Sequence, residues 1–499
     1  MLLRFLVSFA FGLALPAMAG PVVLSSPDDA VAIEGELLSR NGEFFRIETE
    51  FGPVTIDAGG MKCSGIGCPD PVELITRTTV GGPHDMVERL FPALLEAFSD
   101  EHGIYPVRLF ADDQNVSWEL RELGTERLIA VFDVVMLDRG IASDRLLNGE
   151  IQLAFDLVQA PEAVRQDVVA LDAIVPAVAP DNPRAMLTLR QLQILLRGET
   201  SSWAQFGGSD TQLSIHVSAM EPPWLPRLGI PELAANTTRY DDFDVMADTV
   251  AADPAALGLI PYSSLGNAIP LVVSGACGLA TPATRDTIRA EDYPITLPVF
   301  MQRVGSSHPK LLRDFIAFAR GPAAQSTILA AGFIDQAIGR ISFERQGNRI
   351  ANAVLSAGED ADGIAEVQDM IGTLLGGERL TLTYRFEDGS SELDVQSVSN
   401  VQRLADAINT GEFAGYDLLF VGFSDGAGDH DGNLRLSDRR ARSVRSAVAA
   451  RVEGVESELR VAAFGELMPM ACDDTPWGGH VNRRVEVWIK PSEIARRAE

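Results

Sequence analysis

Positive charge is scarce in this sequence of 499 residues. Lysine and arginine together number 41, against 70 aspartate and glutamate residues, so the formal net charge at pH 7 is −29. A chain this negative is repelled by the phosphates of nucleic acids. The charge balance therefore disfavours nucleic acid as a partner and otherwise favours solubility.

Recognisable catalytic and metal-binding patterns are also missing. The six histidines are scattered, and the sequence contains no H-E-x-x-H, G-x-S-x-G, Walker-loop or paired-cysteine metal motif. The sequence therefore predicts a protein that is not an enzyme, with no cofactor and no metal ion.

Cysteine is rare, with four residues in the chain. Cys63 and Cys68 lie close together in MKCSGIGCPD. In an exported protein this spacing predicts a short-loop disulfide. Cys277 and Cys472 are far apart in sequence, and two possibilities remain open for them: a disulfide between distant segments, or two buried thiols.

The N-terminal segment MLLRFLVSFAFGLALPAMAG has the features of an export signal. It carries a positive charge at Arg4, an apolar stretch from Phe5 to Leu15 and a small-x-small pattern at Ala17-Met18-Ala19. This arrangement is typical of a secretory signal peptide, which we expect to occupy residues 1–19. No later segment approaches the roughly 18 uncharged apolar residues that a membrane-spanning helix requires.

The most informative stretch lies near the C-terminus, where LLFVGFSDGAGDHDGNLRLSDRRARSV predicts a buried strand, a Gly/Asp-rich loop and an amphipathic helix. Asp425 falls at the end of the strand, and Arg439 and Arg440 fall in the first turns of the helix. A carboxylate beside a guanidinium can hold a zwitterion, with the ammonium on Asp425 and the carboxylate on an arginine.

These residues match, in register, the pattern [ST]-D-x-x-G followed by N-x-x-L-S-x-x-R-A, at Asp425, Gly428, Asn433 and Arg440, and Arg483 lies in a closing N-R-R-V element. The segment resembles the OmpA-like peptidoglycan-binding domain over residues 379–492. The resemblance implies a βαβαβ fold and peptidoglycan as the partner, with Asp425 and Arg440 on the diaminopimelate of the peptide stem. We expect Asn433 to hold the loop, and Arg439 and Arg483 to complete the site.

Two alternatives compete with this interpretation. An Asp/Arg pair at a strand–helix junction is often a surface ion pair of little energetic value. The sequence DHDGN, with Asp429, Asp431 and Asn433, also imitates the start of a calcium loop. However, the sixth position of such a loop is Leu434 and not glycine, and the twelfth is Arg440 and not glutamate.

The central part, residues 71–338, alternates apolar strands with helical patterns and so predicts an α/β sandwich with mostly parallel strands. Its landmarks follow in order, including LLNGEIQLAFDL, VALDAIVPAVAPDNP, DPAALGLIPYSSLG and DFIAFARGPAAQSTILAAGFI. The series resembles the phosphate-binding proteins of ABC transporters, which are type II periplasmic binding proteins. This resemblance implies two lobes with a ligand cleft.

The ligand of that cleft remains open. Thr78, Thr79, Gly140 and Ser143 keep donor groups at two of the expected loops, but Gln152 replaces the carboxylate of the third. Asp156-Leu157 replaces a Ser-Arg pair, and Glu221 stands in the fourth loop, where its charge would repel an anion. Phosphate or another small anion, a different solute, and no small ligand at all, with a protein partner or a structural role, all remain possible.

The remaining segments complete a multidomain α/β and α+β chain. Residues 20–70 predict a small module of three or four strands, and residues 339–378 predict either a helical hairpin or a semi-rigid spacer. Export together with a wall-binding domain predicts a periplasmic protein associated with the cell wall or outer membrane. The expected job is to hold a binding or scaffolding domain there. An ABC-transporter receptor for phosphate and a purely structural envelope protein are the alternatives.

Overall fold

The structure is a computed structural model that describes residues 20–26, 30–41, 44–58, 61–68, 75–110, 116–207, 210–219, 225, 229–230, 232–275, 279–305, 308–357, 361–387, 390, 392–454, 458–473 and 476–492. The expected signal peptide, Cys277 and Glu221 lie outside these residues. Within the described part of the chain, no helix is both long enough and apolar enough to cross a membrane.

The strands are β1 (Pro21–Ser25), β2 (Ala32–Asn41), β3 (Phe44–Thr49), β4 (Gly52–Asp57), β5 (Lys62–Ser64), β6 (Thr76–Gly82), β7 (Ile104–Phe110), β8 (Val116–Glu122), β9 (Leu128–Met136), β10 (Leu153–Asp156), β11 (Arg165–Val178), β12 (Met186–Thr188), β13 (Ser214–Ser218), β14 (Thr238–Tyr240), β15 (Ala256–Pro261), β16 (Ile269–Pro270), β17 (Val272–Ser274), β18 (Ala280–Thr281), β19 (Thr296–Arg303), β20 (Arg340–Ser342), β21 (Glu378–Arg385), β22 (Tyr416–Gly422), β23 (Leu459–Ala463) and β24 (Arg484–Pro491).

The α-helices are α1 (Phe91–Glu101), α2 (Ala142–Leu147), α3 (Leu189–Leu196), α4 (Phe243–Ala252), α5 (Arg285–Arg289), α6 (Lys310–Arg320), α7 (Gln325–Ala330), α8 (Gly347–Ala357), α9 (Ala361–Leu374), α10 (Val395–Asn409), α11 (His430–Ala449) and α12 (Pro476–Asn482). A π-helical turn, Met86–Leu90, precedes α1. The chain divides into two compact units, and the predicted mixed α/β multidomain class is confirmed.

The first unit comprises the chain up to Val80, Leu95–Val135 and Gly305–Phe318. Its N-terminal part is an antiparallel five-stranded sheet in the order β4-β3-β2-β1-β5, one strand more than the sequence predicted at most. The extra strand, β5, is very short and carries Cys63. The predicted Cys63–Cys68 disulfide is confirmed. Strands β7, β8 and β9 form an antiparallel meander.

The second unit comprises Gly81–Leu94, Met136–Val304 and Ala319 onward. Its longest strand is β11, which pairs antiparallel with β15 on one side and with β19 on the other. The mostly parallel sheet predicted for this region is wrong for most of the described pairings, although β13 does run parallel to both β14 and β15. The apolar run of β11 is buried almost throughout, which is the pattern that a parallel strand would also show.

The C-terminal part of the second unit is a five-stranded sheet in the order β20-β21-β24-β22-β23. The apolar sides of α10 and α11 pack in one cluster with β21, β22 and β24, through residues that include Leu404, Val444 and Phe420. A different cluster joins Met370 of α9 to Trp488 of β24. Of the two forms expected for residues 339–378, the helical hairpin is therefore present, as α8 and α9, and it packs against the sheet.

Candidate functional site

The end of β22 and the start of α11 build the candidate site in the C-terminal part. Gly422 closes β22, and a Cβ atom there would lie 2.1 Å from the Ser437 carbonyl oxygen, so only glycine permits the helix to approach so closely. Gly428 adopts a φ of +99°, which a side chain would strain. Asp429 caps α11 by accepting a hydrogen bond of 2.7 Å from the Gly432 amide. Asp429 thus takes a helix-capping role in the DHDGN segment.

Asp425, immediately after this strand, forms an ion pair with Arg483. Arg483 Nη1 donates a hydrogen bond of 2.8 Å to Asp425 Oδ2. Both side chains are mostly buried, with 15% of Asp425 and 20% of Arg483 exposed. Gly479 of α12 packs against this pair, because a Cβ atom there would lie 3.3 Å from Asp425 Oδ2.

Arg440 is the most unusual group of the site, because its guanidinium is buried without a carboxylate partner among the described residues. The side chain lies over the Phe386 ring at 5.1 Å from its centroid. Its Nε and Nη1 atoms donate to no described residue. Burial lowers the pKa of Arg440, and the charge of Arg483 lowers it further. An arginine in this state gains from any anion that satisfies its unpaired N–H groups.

The other predicted residues surround this pair. Asn433 is buried in the first turns of α11, beside the backbone of Gly465, while Arg439 is exposed on the same helix. Asn482 is fully buried and accepts hydrogen bonds from the Met470 and Ala471 amides. The structure therefore brings Asp425, Arg440 and Arg483 together and leaves Arg439 outside the buried cluster.

This arrangement suits a zwitterion. Asp425 uses Oδ2 for Arg483, and a carboxylate has further acceptor positions for an incoming ammonium. The unpaired N–H groups of Arg440 can donate to a carboxylate in the same ligand. No described group of three or more histidine, cysteine or acidic side chains is arranged to hold a metal ion.

Phe386 was not recognised in the sequence as a residue of the site, whereas Ser424 is the first residue of the matched motif. Phe386 forms the apolar face under Arg440. Ser424 is buried beside Asp425, and its hydroxyl has no hydrogen-bond partner among the described residues. The sequence feature that could have identified Phe386 is its position directly after Arg385, at the end of an apolar strand.

The cleft residues predicted in the central part are distributed more loosely. Thr78 is buried and Thr79 is half-buried on β6, in the first unit. In the second unit, Ser143 is half-buried on α2 and Gln152 is exposed. The Gly140 amide donates to Asp156 Oδ2 at 2.8 Å.

The Asp156 carboxylate takes the position at the Gly140 amide where a bound anion would accept a hydrogen bond. It is buried, and besides Gly140 it accepts a hydrogen bond of 3.1 Å from the Val158 amide. Burial raises the pKa of Asp156, and these amide donors counteract the rise. The carboxylate of the chain itself therefore satisfies the Gly140 N–H group that the resemblance assigned to phosphate.

A cavity of about 660 Å³ lies nearby in the second unit. Gly140, Ser143 and Gln152 are not among its described lining residues. Arg139 lines it, held between Asp85 at 3.1 Å and the Phe243 ring at 4.9 Å from its centroid. Six carboxylates and three arginines line the cavity, so its net charge is negative: Asp85, Glu88, Asp138, Asp241, Asp242 and Asp244 against Arg89, Arg139 and Arg145.

Comparison with known proteins decides the family of the C-terminal part. Residues 385–483 match the model of the OmpA family. The resemblance predicted from the sequence is confirmed. The chain is 42% identical over 72 residues to the probable lipoprotein YiaD of Escherichia coli, a match over 14% of this chain and 32% of that protein. Outer membrane porin F of Pseudomonas aeruginosa is 29% identical over 132 residues, or 26% of this chain and 35% of that protein. The chain thus spans about a third of the length of these relatives.

Solved structures similar to the chain include members of the class that the central part resembles. An ABC-type phosphate transport receptor from Vibrio cholerae is 18% identical, with a TM-score of 0.40, over 52% of this chain and 99% of that receptor. The periplasmic domain of MotB from Helicobacter pylori is also 18% identical, with a TM-score of 0.21, over 25% of this chain and 81% of that domain.

Proposed function

We propose that the chain is a periplasmic protein anchored to the cell wall, in which residues 379–492 bind peptidoglycan through the diaminopimelate of the peptide stem. The observation that carries this proposal is the Arg440 guanidinium, which is buried beside Asp425 and Arg483 with two N–H groups unpaired within the described chain. Arg440 receives the ligand carboxylate, and Asp425 receives the ammonium.

Known relatives support the placement in the cell envelope, because they are described as a lipoprotein and an outer membrane porin. Export by the N-terminal signal of residues 1–19 would bring the chain to the same compartment. Neither the site nor the charge of the chain suits nucleic acid. The proposed role is binding or scaffolding and not catalysis.

Cosedimentation with purified diaminopimelate-type peptidoglycan tests the anchor. Charge-assisted hydrogen bonds contribute roughly 1.5–3 kcal/mol each, so Asp425→Ala and Arg440→Ala should each weaken binding at least about tenfold. Arg439→Ala is the matched control, since it removes an exposed arginine from the next position of the same helix. Equal retention of all four proteins on the wall would contradict the proposal.

The acidic cavity supports a second function, the binding of a small solute. Its lining carboxylates outnumber its arginines, which favours a cationic or zwitterionic ligand over phosphate. A ligand at about 100 times its Kd stabilises a protein by about 2.7 kcal/mol. A thermal-shift screen that compares diamines, basic amino acids and phosphate therefore tests this function. A shift with phosphate alone would contradict the preference for cations, and no shift at all would favour a protein partner or a structural role.

A further inference from the structure

A second cavity, of about 450 Å³, borders the OmpA-family region. One side is formed by Gln159, which follows β10, and by Glu291 and Phe300, which lie before and within β19. The other side is formed by Arg385, Gln396 and Trp477. Arg385 crosses between the two sides, because its Nη1 donates to Glu291 Oε2 at 2.8 Å and its Nη2 to the Glu291 carbonyl oxygen at 2.7 Å. Glu291 adopts a φ of +55°, a conformation that is rare for a residue other than glycine and that is often found at binding sites.

Two polar atoms of this lining have no hydrogen-bond partner among the described residues. Gln396 is 5% exposed, and its Oε1 accepts no hydrogen bond from any described residue, although its Nε2 donates to Asn400 at 3.3 Å. Arg385 is equally buried, and its Nε likewise finds no described acceptor. One lining residue thus offers an acceptor and another a donor. Buried polar groups are nearly always paired in proteins, so these two atoms are available to a polar ligand that enters the cavity.

The helix α12 connects this cavity to the candidate peptidoglycan site. Gly479 of α12 contacts Asp425 and Arg483, while Trp477 and His480 of the same helix line the cavity. The rings of Trp477 and His480 stack, with centroids 5.2 Å apart and planes inclined by 20°. A flat aromatic surface beside amide and carboxylate groups is suited to a sugar ring, whose faces are apolar and whose edge carries hydroxyl groups.

We propose that this cavity binds an N-acetylated amino sugar of the glycan strand whose stem peptide occupies Asp425 and Arg440. The acetamido group would supply an N–H donor to Gln396 and a carbonyl acceptor to Arg385. The inference rests on the proposed peptidoglycan function, and it adds that Gln159 and Glu291, which precede the OmpA-family region in the sequence, contribute to wall recognition.

Calorimetry with two probes tests this inference on the full chain. One probe is the free stem peptide that contains diaminopimelate, and the other is the same peptide attached to its N-acetylglucosamine–N-acetylmuramic acid disaccharide. We expect the disaccharide peptide to bind at least about tenfold more tightly, because it satisfies two buried polar groups that the free peptide leaves unpaired. Gln396→Leu and Gln159→Ala should reduce this advantage and leave the affinity for the free peptide unchanged.

The controls separate the cavity from the anchor. Gln402→Leu changes an exposed glutamine on the same helix as Gln396. This variant should still bind the disaccharide peptide more tightly than the free peptide, to the same extent as the wild type. Gln159 is exposed, so its variant keeps the test valid if Gln396→Leu fails to fold. The sugar site would be overturned if the wild type bound both probes with equal affinity. If Arg440→Ala then lost binding of both probes, the proposed peptidoglycan anchor would still be supported. Absence of binding to either probe would overturn both proposals.

Discussion

Arg483 donates a hydrogen bond of 2.8 Å to Asp425, and this ion pair shapes the whole candidate site. It fixes one oxygen of Asp425 at the end of β22. It also leaves Arg440 without a carboxylate partner within the described chain, although the two arginines lie close enough for Arg483 to lower the pKa of Arg440. Asp425 thus hydrogen-bonds to Arg483 and acts on Arg440 through its charge, which opposes the lowering of the Arg440 pKa by burial.

Phosphate should bind weakly or not at all. Its Kd should lie above about 1 μM, which corresponds to a binding free energy of about −8 kcal/mol. The reason is that Asp156 already occupies the Gly140 and Val158 amides and would repel an incoming anion. Calorimetry with phosphate at neutral pH measures this directly. Asp156→Asn removes the charge that would repel phosphate. Asp144→Asn is its control, because it removes an exposed charge from α2. A sub-micromolar Kd for the wild type would refute the assignment.

Glu486→Gln should strongly destabilise the C-terminal five-stranded sheet, because Glu486 lies on its strand β24. Glu486 is fully buried and contacts three arginines, Arg349, Arg379 and Arg484. Removing one partner of a buried ion network typically costs about 3–5 kcal/mol because the remaining charges stay desolvated. Urea denaturation should show a clear drop in the midpoint.

Glu458→Gln provides the comparison, since Glu458 pairs with Arg460 while 63% exposed, and its loss should change stability by less than about 0.5 kcal/mol. The arginines lower the pKa of Glu486 in the folded chain. Its contribution is therefore fully present above the unfolded pKa of about 4.3 and decreases as the pH falls toward the folded value. Similar midpoints for the two variants would show that the network contributes little.

His430 should titrate above its ordinary pKa. Its Nδ1 lies 3.1 Å from Glu466, and its Nε2 lies 2.9 Å from Glu366 of α9. The hydrogen bond to Glu466, with the charges of both glutamates, raises the pKa of His430. The stabilisation that this provides is complete below about pH 6.5 and is lost as the pH rises through the folded pKa.

An NMR titration of the His430 ring follows this directly. Glu366→Gln should lower the pKa of His430, whereas Asp369→Asn, on the same helix, should leave it nearly unchanged. A pKa at or below the ordinary histidine value in the wild type would mean that the two glutamates do not contact the ring in solution.

The sequence predicted the local backbone structure of the C-terminal part well because its motifs are local. The Asp425-to-Arg440 pattern specifies a strand end, a glycine turn and the first turns of a helix, and the structure places them so. The pairing of Asp425 with Arg483 was not predictable, since it depends on how α12 packs against a distant loop. Likewise, the helical patterns of α8 and α9 were visible, but the sheet face that they cover was not.

The central part was harder to predict for a physical reason. A strand that is buried on both faces, such as β11, has a continuous apolar sequence whether its neighbours are parallel or antiparallel. The sequence pattern therefore does not distinguish the two arrangements. The role of Asp156 also depends on a turn that brings the Gly140 amide to its carboxylate, which the spacing of the two residues does not reveal.

The most direct test of the peptidoglycan anchor compares two stem peptides that differ in a single group. Lysine lacks the second carboxylate of diaminopimelate but keeps the ammonium. If Arg440 binds that carboxylate, calorimetry should show wild type preferring the diaminopimelate peptide by at least about tenfold, as expected for a lost charge-assisted hydrogen bond. Arg440→Ala should bind both peptides with the same low affinity, and Arg439→Ala should discriminate like wild type. Equal discrimination by wild type and Arg440→Ala would contradict the assignment of Arg440 as the carboxylate receptor.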